Sequence, residues 1–274
     1  ERPSQLITPA LHLSAHDVAD LFDRLDEQEG EAPEPSGAHD LDPAALADRA
    51  RLRLRADFER ADMGVTGVNF AAADTGTLAL LSNEGNIDLV TTHPRVHVAV
   101  MGIEKVVPRL TDVGLLLPLL SRAGGDREIT AYQTLLTGPR RPGETDGPEQ
   151  MHVVLLDNGR SRILESPVWE ALACIRCGNC QMACPVFKAV GGGHAYGSVY
   201  GGPIGSVISP LLGDAKADAD LPYLSTLCGA CGDACPVRIP LPDLLLELRV
   251  RDRSPAAGGG GLADSVERAG WNAW

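Results

Sequence analysis

Seven cysteines are the residues of this chain whose spacing most directly suggests chemistry. All of them lie between positions 174 and 235, and the first 173 residues contain none. The first group has the spacing C-x2-C-x2-C-x3-C-P and consists of Cys174, Cys177, Cys180 and Cys184, followed by Pro185. This spacing is typical of bacterial iron–sulfur proteins, in which three thiolates bind one cluster and the fourth cysteine binds another. The tight spacing wraps the backbone around one face of a cube-shaped cluster. Cys184 lies about one helical turn after Cys180 and therefore faces away from this cluster.

A second, shorter group follows and ends in the same Cys-Pro pair, at Cys235 and Pro236. The two endings predict crossed ligation of two [4Fe–4S] clusters. The predicted ligands are Cys174, Cys177, Cys180 and Cys235 for the first cluster, and Cys184, Cys228 and Cys231 for the second.

The second cluster has only three cysteine ligands in this prediction. A complete repeat would place a cysteine three residues before Cys228, but that position is Ser225. Three outcomes are compatible with the sequence: a [3Fe–4S] cluster, a [4Fe–4S] cluster with Ser225 or another oxygen or nitrogen ligand, or a cysteine supplied from outside this chain.

Other uses of the cysteines are less compatible with the pattern. A zinc ribbon would need four of the seven and does not require the C-x3-C-P ending. An odd number cannot all form disulfides, so the clustering indicates metal binding in a reducing compartment, which we expect to be the cytoplasm. The 43 residues between Cys184 and Cys228 favour a helical two-cluster domain over a compact ferredoxin, and His194 within them is either a cluster ligand or a partner for backbone carbonyls.

Composition excludes several classes of function. A net charge of −13 makes nucleic acid a poor partner, since binding to phosphates needs a basic surface. No apolar run approaches the roughly 20 residues of a membrane-spanning helix. The chain of 274 residues begins at Glu1 rather than Met, which we interpret as a fragment of a longer protein.

The remaining sequence predicts an α/β domain over residues 1–160, a helical domain over 165–252 and a linker over 253–274. Helices are expected at 14–25, where Ser14 and Asp17 form a capping box, at 43–60, at 112–120 and at 128–135. Buried strands are expected at 64–70, 77–82, 96–101 and 151–156. Because the helices after 165 are short and a Gly-rich loop separates them, we expect folding there to depend on metal.

Polar residues flank the second predicted strand. Thr77 precedes it and Asn83, Glu84 and Asn86 follow it, so these four side chains could bind a carboxylate or hydroxy acid in a crevice at the strand ends. The alternative is that residues 83–86 form only a hairpin turn. The neighbouring pair Glu104 and Lys105 predicts an ion pair at a strand end, and a role of the pair in a binding site is the alternative.

These motifs together resemble the lactate-utilisation protein B family, the iron–sulfur subunits of the lactate-utilisation system. Besides the cysteine groups, the resemblance rests on Asn69-Phe70, Asp74-Thr-Gly-Thr77, Asn83-Glu-Gly-Asn86, Gly102-Ile-Glu-Lys-Val-Val-Pro108, Leu136-Thr-Gly-Pro-Arg140, Leu155-Leu-Asp-Asn-Gly-Arg160 and Tyr200-Gly-Gly-Pro-Ile-Gly205.

The resemblance implies that residues 1–160 are the C-terminal part of a LUD domain, an α/β fold of the coenzyme-A-transferase and ribose-phosphate-isomerase type. It also implies a subunit of a dehydrogenase complex that oxidises L-lactate to pyruvate with two partner proteins, one of them a second cysteine-rich subunit. Two alternatives stay open: a redox subunit for glycolate or a thiol–disulfide system, and a module that senses a small acid or oxygen.

Overall fold

The computed structural model describes residues 13–29, 42–125, 128–190, 198–213 and 218–252. Its α-helices in these ranges are α1 (Ala15–Glu29), α2 (Pro43–Arg60), α3 (Asn86–Thr92), α4 (Leu110–Gly125), α5 (Arg160–Leu164), α6 (Asn179–Ala183), α7 (Pro185–Ala189), α8 (Gly202–Leu212), α9 (Ala230–Asp233) and α10 (Leu241–Asp252). Its strands are β1 (Met63–Gly67), β2 (Phe70–Ala72), β3 (Leu78–Ser82), β4 (Val96–Gly102), β5 (Val106–Val107), β6 (Tyr132–Leu136) and β7 (Gln150–Leu156). Short 3₁₀ helices lie at Ile103–Lys105, Trp169–Ala173 and Leu221–Tyr223. None of the described helices is long and apolar enough to cross a membrane.

The first two helices begin where local signals predict. The amide of Ser14 donates to Asp17 Oδ2 at 2.7 Å and the amide of Asp17 donates to Ser14 Oγ at 3.2 Å, which confirms the capping box. Pro43 is the first residue of α2, where its fixed φ favours a helix. Arg49 pairs with Asp23 and Asp26 and so joins α2 to α1.

Two sheets form the α/β layer, which we define as residues 63–156. In the described chain, β1, β4 and β7 form a parallel sheet in the order β1-β4-β7, and a mixed sheet has the order β5-β2-β3-β6. The helix predicted over 128–135 is wrong, because β6 occupies this place and pairs antiparallel with β3, Leu136 opposite Leu78. That pairing joins residues 50 to 58 positions apart, so the local pattern could not reveal it.

The prediction that residues 151–156 are buried is also wrong. The strand exists as β7, but it lies at the edge of the parallel sheet, and Val153 to Leu156 are all exposed, Leu155 to 58%. In contrast, β4 lies between two strands and buries alternate side chains, His97, Ala99 and Met101. Burial therefore follows from the position of a strand in its sheet and not from its apolar composition alone.

One apolar core joins the mixed sheet to the first cysteine group. Phe70 and Ala79 of the sheet and Val113 of α4 pack in the same cluster as Ile175 and Cys177. The sheet and α4 therefore form the wall against which the loop that bears Cys177 rests.

The cysteine region, which we define as residues 165–252, has a core of its own. In its described part the regular elements are helices, and α8 and α10 contribute buried Val207, Ile208, Leu244 and Leu245. The apolar residues of this core come from helices far apart in sequence, which meet only in the fold. The metal dependence of folding stays a prediction, and we expect it to be strongest in the cysteine-bearing segments, whose helices are short.

Candidate iron–sulfur centre

The first cysteine group forms a tight loop that ends in a short helix. Arg176 has a φ of 65° and Gly178 a φ of 75°, so the backbone turns sharply on both sides of Cys177 before α6 begins. The amide of Arg176 donates to Cys174 Sγ at 3.4 Å. Pro185 then starts α7 directly after Cys184, as its fixed φ favours.

The second cysteine group repeats this construction and packs against the first. Gly229 has a φ of 89° and precedes α9, while the amide of Ile239 donates to Cys235 Sγ at 3.4 Å. Asn179 of α6 donates from Nδ2 to the carbonyl of Ala234 at 2.7 Å, which ties the two groups together.

Four cysteines from the two groups line one cavity. The cysteines in its wall are Cys174, Cys177, Cys180 and Cys235. Apolar side chains complete the wall, among them Ile204 of α8 and Leu241 of α10. Cys184 is not part of this wall. The fold therefore brings Cys235 to the first three cysteines although it lies 55 positions beyond Cys180.

The other three cysteines lie outside this wall. Cys231 interacts electrostatically with Cys184 and Cys228, and also with Cys180 of the first set. Cys184 and Cys231 are buried, whereas Cys228 is exposed. The amide of Ala230 and the hydroxyl of Thr226 lower the pKa of Cys228 by hydrogen bonding.

Burial disfavours thiolates at Cys177 and Cys180 unless a cation binds beside them. Burial raises the pKa of Cys180 to about 12 and also raises the pKa of Cys177. Thiolates at these positions therefore need a cation to offset their desolvation. The described cysteines form no disulfide, and no three His, Cys, Asp or Glu side chains of the described residues converge on a single-ion position. Four soft sulfur ligands around a cavity, with backbone amides directed at sulfur, fit an iron–sulfur cluster.

A buried group of charges connects this site to the α/β layer. Glu104 is 5% exposed and lies between Arg160, at 2.7 Å from Nε, and Arg176, at 3.7 Å from its guanidinium. Lys105 Nζ donates to the carbonyl of Cys174 at 3.4 Å. Burial, aided by the positive charge of Arg176, lowers the pKa of Lys105 to about 8. The predicted ion pair of Glu104 with Lys105 is wrong, because Glu104 pairs with the two arginines and Lys105 donates to a backbone carbonyl instead. The sequence analysis missed both arginines, although one of them lies between two motif cysteines.

The structure does not gather the four predicted crevice residues at one place. Thr77 precedes β3, is buried and contacts Thr75 through its hydroxyl at 2.8 Å, whereas Asn83, Glu84 and Asn86 follow the opposite end of this strand. Five strand residues separate the two ends by roughly 16 Å. A single small-acid site containing all four side chains is therefore not formed.

The turn after β3 is a strand-to-helix connection. Gly85 has a φ of 74° and precedes α3, so the hairpin interpretation is wrong. Ser82 Oγ donates to Asn86 Oδ1 at 2.9 Å, the amide of Asn83 donates to Glu84 Oε2 at 3.1 Å, and Asn83 Oδ1 accepts from the amide of Ala131 at 3.2 Å. These polar groups hold the turn itself. His194 lies outside the described residues.

Comparison with protein families matches both parts of the chain. The LUD domain model matches residues 4–156, and the 4Fe-4S dicluster domain model matches residues 170–239. The chain belongs to the LUD-domain family. In this chain, the residues matched by the LUD model contain both sheets, and those matched by the 4Fe-4S model contain all seven cysteines.

Curated relatives are similar over most of this chain. Lactate utilization protein B of Bacillus licheniformis is 48% identical over 91% of this chain and 50% of its own length, and that of Bacillus subtilis is 48% identical over 90% and 50%. An uncharacterized electron transport protein of Escherichia coli is 46% identical over 90% and 50%. The chain therefore spans about half the length of the curated relatives it matches. A crystal structure of a DUF162 family protein from Deinococcus radiodurans is 23% identical, with a TM-score of 0.28 over 36% of this chain and 56% of the other, which is too low to support an argument.

Proposed function

We propose that this chain transfers electrons through two [4Fe–4S] clusters in a protein system that oxidises L-lactate to pyruvate. The observation that carries the proposal is the cavity with Cys174, Cys177, Cys180 and Cys235 in its wall. The proposed substrate is taken from the name of the relatives from Bacillus, lactate utilization protein B.

The clusters would supply one-electron carriers, and the protein determines how they are held. The first set of ligands is the four cysteines of the cavity, and the second contains Cys184, Cys228 and Cys231. Asn179 fixes the distance between the two groups by its hydrogen bond to the second one. Apolar residues such as Ile204 and Leu241 exclude water from the first site, while exposed Cys228 leaves the second site open to a redox partner.

The stoichiometry of the proposed reaction fits two one-electron carriers. L-lactate loses two electrons and two protons to become pyruvate, and each cluster accepts one electron at a time. The described residues assemble no small-acid site from Thr77, Asn83, Glu84 and Asn86, so we propose that lactate binds elsewhere in the complete system. Two partner proteins are part of this proposal, one of them a second cysteine-rich subunit. The coenzyme-A-transferase type of α/β fold remains a prediction.

The test is reduction of the complete system under anaerobic conditions. The full-length protein with both partners is mixed with L-lactate and the reduced clusters are measured by EPR, with D-lactate and glycolate as controls and a Cys177→Ser variant as the matched protein control. We expect L-lactate to produce the signal of reduced [4Fe–4S] clusters, with loss of the first-site component in Cys177→Ser.

Each other outcome argues against a defined part of the proposal. Reduction by glycolate but not by L-lactate would assign another 2-hydroxy acid, and reduction only by dithiols would indicate a thiol–disulfide system. A protein that no donor reduces but that loses a cluster in air and changes its affinity for partners would be a sensor.

A further inference from the structure

The two cysteine groups share a backbone conformation that aligns them residue by residue. The residue before Cys177 and the glycine after it have positive φ, Arg176 at 65° and Gly178 at 75°. The same holds for the residues that flank Cys228, Leu227 at 54° and Gly229 at 89°. A short helix begins directly after each glycine. Non-glycine residues rarely adopt this conformation, so its repetition at corresponding positions marks two copies of one loop.

The alignment places Ser225 where the first group has Cys174. The amide two residues after Cys174, that of Arg176, donates to its Sγ at 3.4 Å. The amide two residues after Ser225, that of Leu227, donates to its Oγ at 3.1 Å. The hydroxyl of Ser225 thus makes the hydrogen bond that the ligand sulfur makes in the first loop.

Arg249 of α10 holds the backbone of Ser225 in this position. Its guanidinium donates to the carbonyl of Ser225 at 2.7 Å and to that of Pro222 at 2.8 Å. The side chain of Ser225 is partly buried and is oriented by the amide of Leu227. Two elements distant in sequence therefore fix the segment that leads to Cys228.

We propose that the hydroxyl oxygen of Ser225 is the fourth protein ligand at the second cluster, beside Cys184, Cys228 and Cys231. This inference rests on the part of the proposed function that assigns clusters to the two cysteine sets, and it is independent of lactate. On binding, an iron–oxygen bond forms, the hydroxyl proton passes to solvent, and no electron is transferred. Because an alkoxide is a harder donor than a thiolate, the iron at this corner is held less tightly and is lost first in air.

Thr226 is the nearest competing hydroxyl and provides the matched control. Its side chain donates a hydrogen bond to the sulfur of Cys228 but lies one residue off the position of Cys174 in the alignment. A Thr226→Ala variant therefore removes a hydroxyl from the same loop without removing the proposed ligand.

The experiment compares wild type, Ser225→Ala, Ser225→Cys and Thr226→Ala, all loaded with iron and sulfide anaerobically. Iron content, Mössbauer spectra and EPR spectra of the oxidised proteins are measured before and after exposure to air. We expect four irons per site in wild type, with one iron in a distinct, oxygen-ligated environment. Ser225→Ala should lose one iron and show the EPR signal of an oxidised three-iron cluster, and Ser225→Cys should keep four irons for longer in air. Thr226→Ala should keep four irons, as wild type does.

Several results would overturn the assignment. These are four irons retained in Ser225→Ala, a three-iron signal in anaerobic wild type, or a Ser225→Cys protein with unchanged Mössbauer spectrum and unchanged lability in air. The last comparison decides the question even if Ser225→Ala does not fold. Absence of iron from both sites of wild type would contradict the proposed function as well. If both Ser225 variants instead have a normal first site and a second site like that of wild type, only the role of Ser225 is contradicted.

Discussion

The α/β layer and the cysteine region are stabilised in different ways. In the α/β layer, β4 pairs with β1 and β7 along its length, so backbone hydrogen bonds define the structure without any cofactor. In the cysteine region, the segments that bear cysteines are helices of four or five residues joined by loops, and Arg176, Leu227 and Arg238 have positive φ next to them. Each such residue costs about 1–2 kcal/mol. The difference indicates that strand pairing stabilises the α/β layer, whereas parts of the cysteine region need bonds to a cofactor.

Removal of the clusters should have the largest effect. Within the cysteine region it should remove hydrogen-exchange protection from some segments and leave others protected. Anaerobic chelation of iron should abolish hydrogen-exchange protection in residues 174–184 and 227–239, because their short helices and strained loops lose the bonds that order them. The amides of β1 and β4, and those of α8 and α10 in the apolar core, should stay protected. Hydrogen exchange with mass spectrometry measures all of these segments at once, and a uniform loss or an unchanged pattern would contradict the comparison.

Substitution of single cysteines should show which cluster each of them binds. Cys235→Ser should damage the cluster associated with Cys174, Cys177 and Cys180, because Cys235 shares their cavity wall. Cys184→Ser is the matched variant, since it ends the first group but should damage only the second cluster. Mössbauer and EPR spectra of both variants provide the measurement. Loss of the second cluster in Cys235→Ser would show that ligation is not crossed.

The contact between the two regions should depend on Glu104. Glu104→Gln removes the carboxylate that lies between Arg160 and Arg176 and leaves both guanidinium groups uncompensated, so we expect a loss of about 3–5 kcal/mol in the free energy of unfolding. Asp57→Asn serves as control, because the pair of Asp57 with Arg60 is exposed and should contribute less than about 1 kcal/mol. Urea unfolding of both variants gives the two values, and equal losses would mean that the buried charges do not hold the regions together.

The smallest expected effect lies within the α/β layer. Asp74 Oδ1 accepts from the amide of Leu110 at 3.1 Å, the first residue of α4. Asp74→Ala should therefore destabilise the protein by about 1 kcal/mol, without any effect on the spectra of either cluster. Asp74→Asn keeps an acceptor oxygen and should retain most of the stability. A change in the cluster spectra of Asp74→Ala would show that the two regions are coupled more tightly than the comparison allows.

Local signals in the sequence were sufficient for several elements. The capping box of Ser14 and Asp17 and the position of Pro43 predicted the starts of α1 and α2, because caps act within a few residues of themselves. The spacing of the seven cysteines likewise predicted an iron–sulfur domain, since three ligands of the first cluster follow each other closely along the chain.

Tertiary structure decided everything that depends on contacts distant in sequence. Residues 132–136 form a strand because they pair with β3, and Leu155 is exposed because β7 lies at a sheet edge. Glu104 met Arg160 and Arg176 only when the α/β layer packed against the cysteine region. The sequence by itself determined which residue types were available for ligation, but packing decided which of them share a cavity, because side chains from separate elements converge only in the fold.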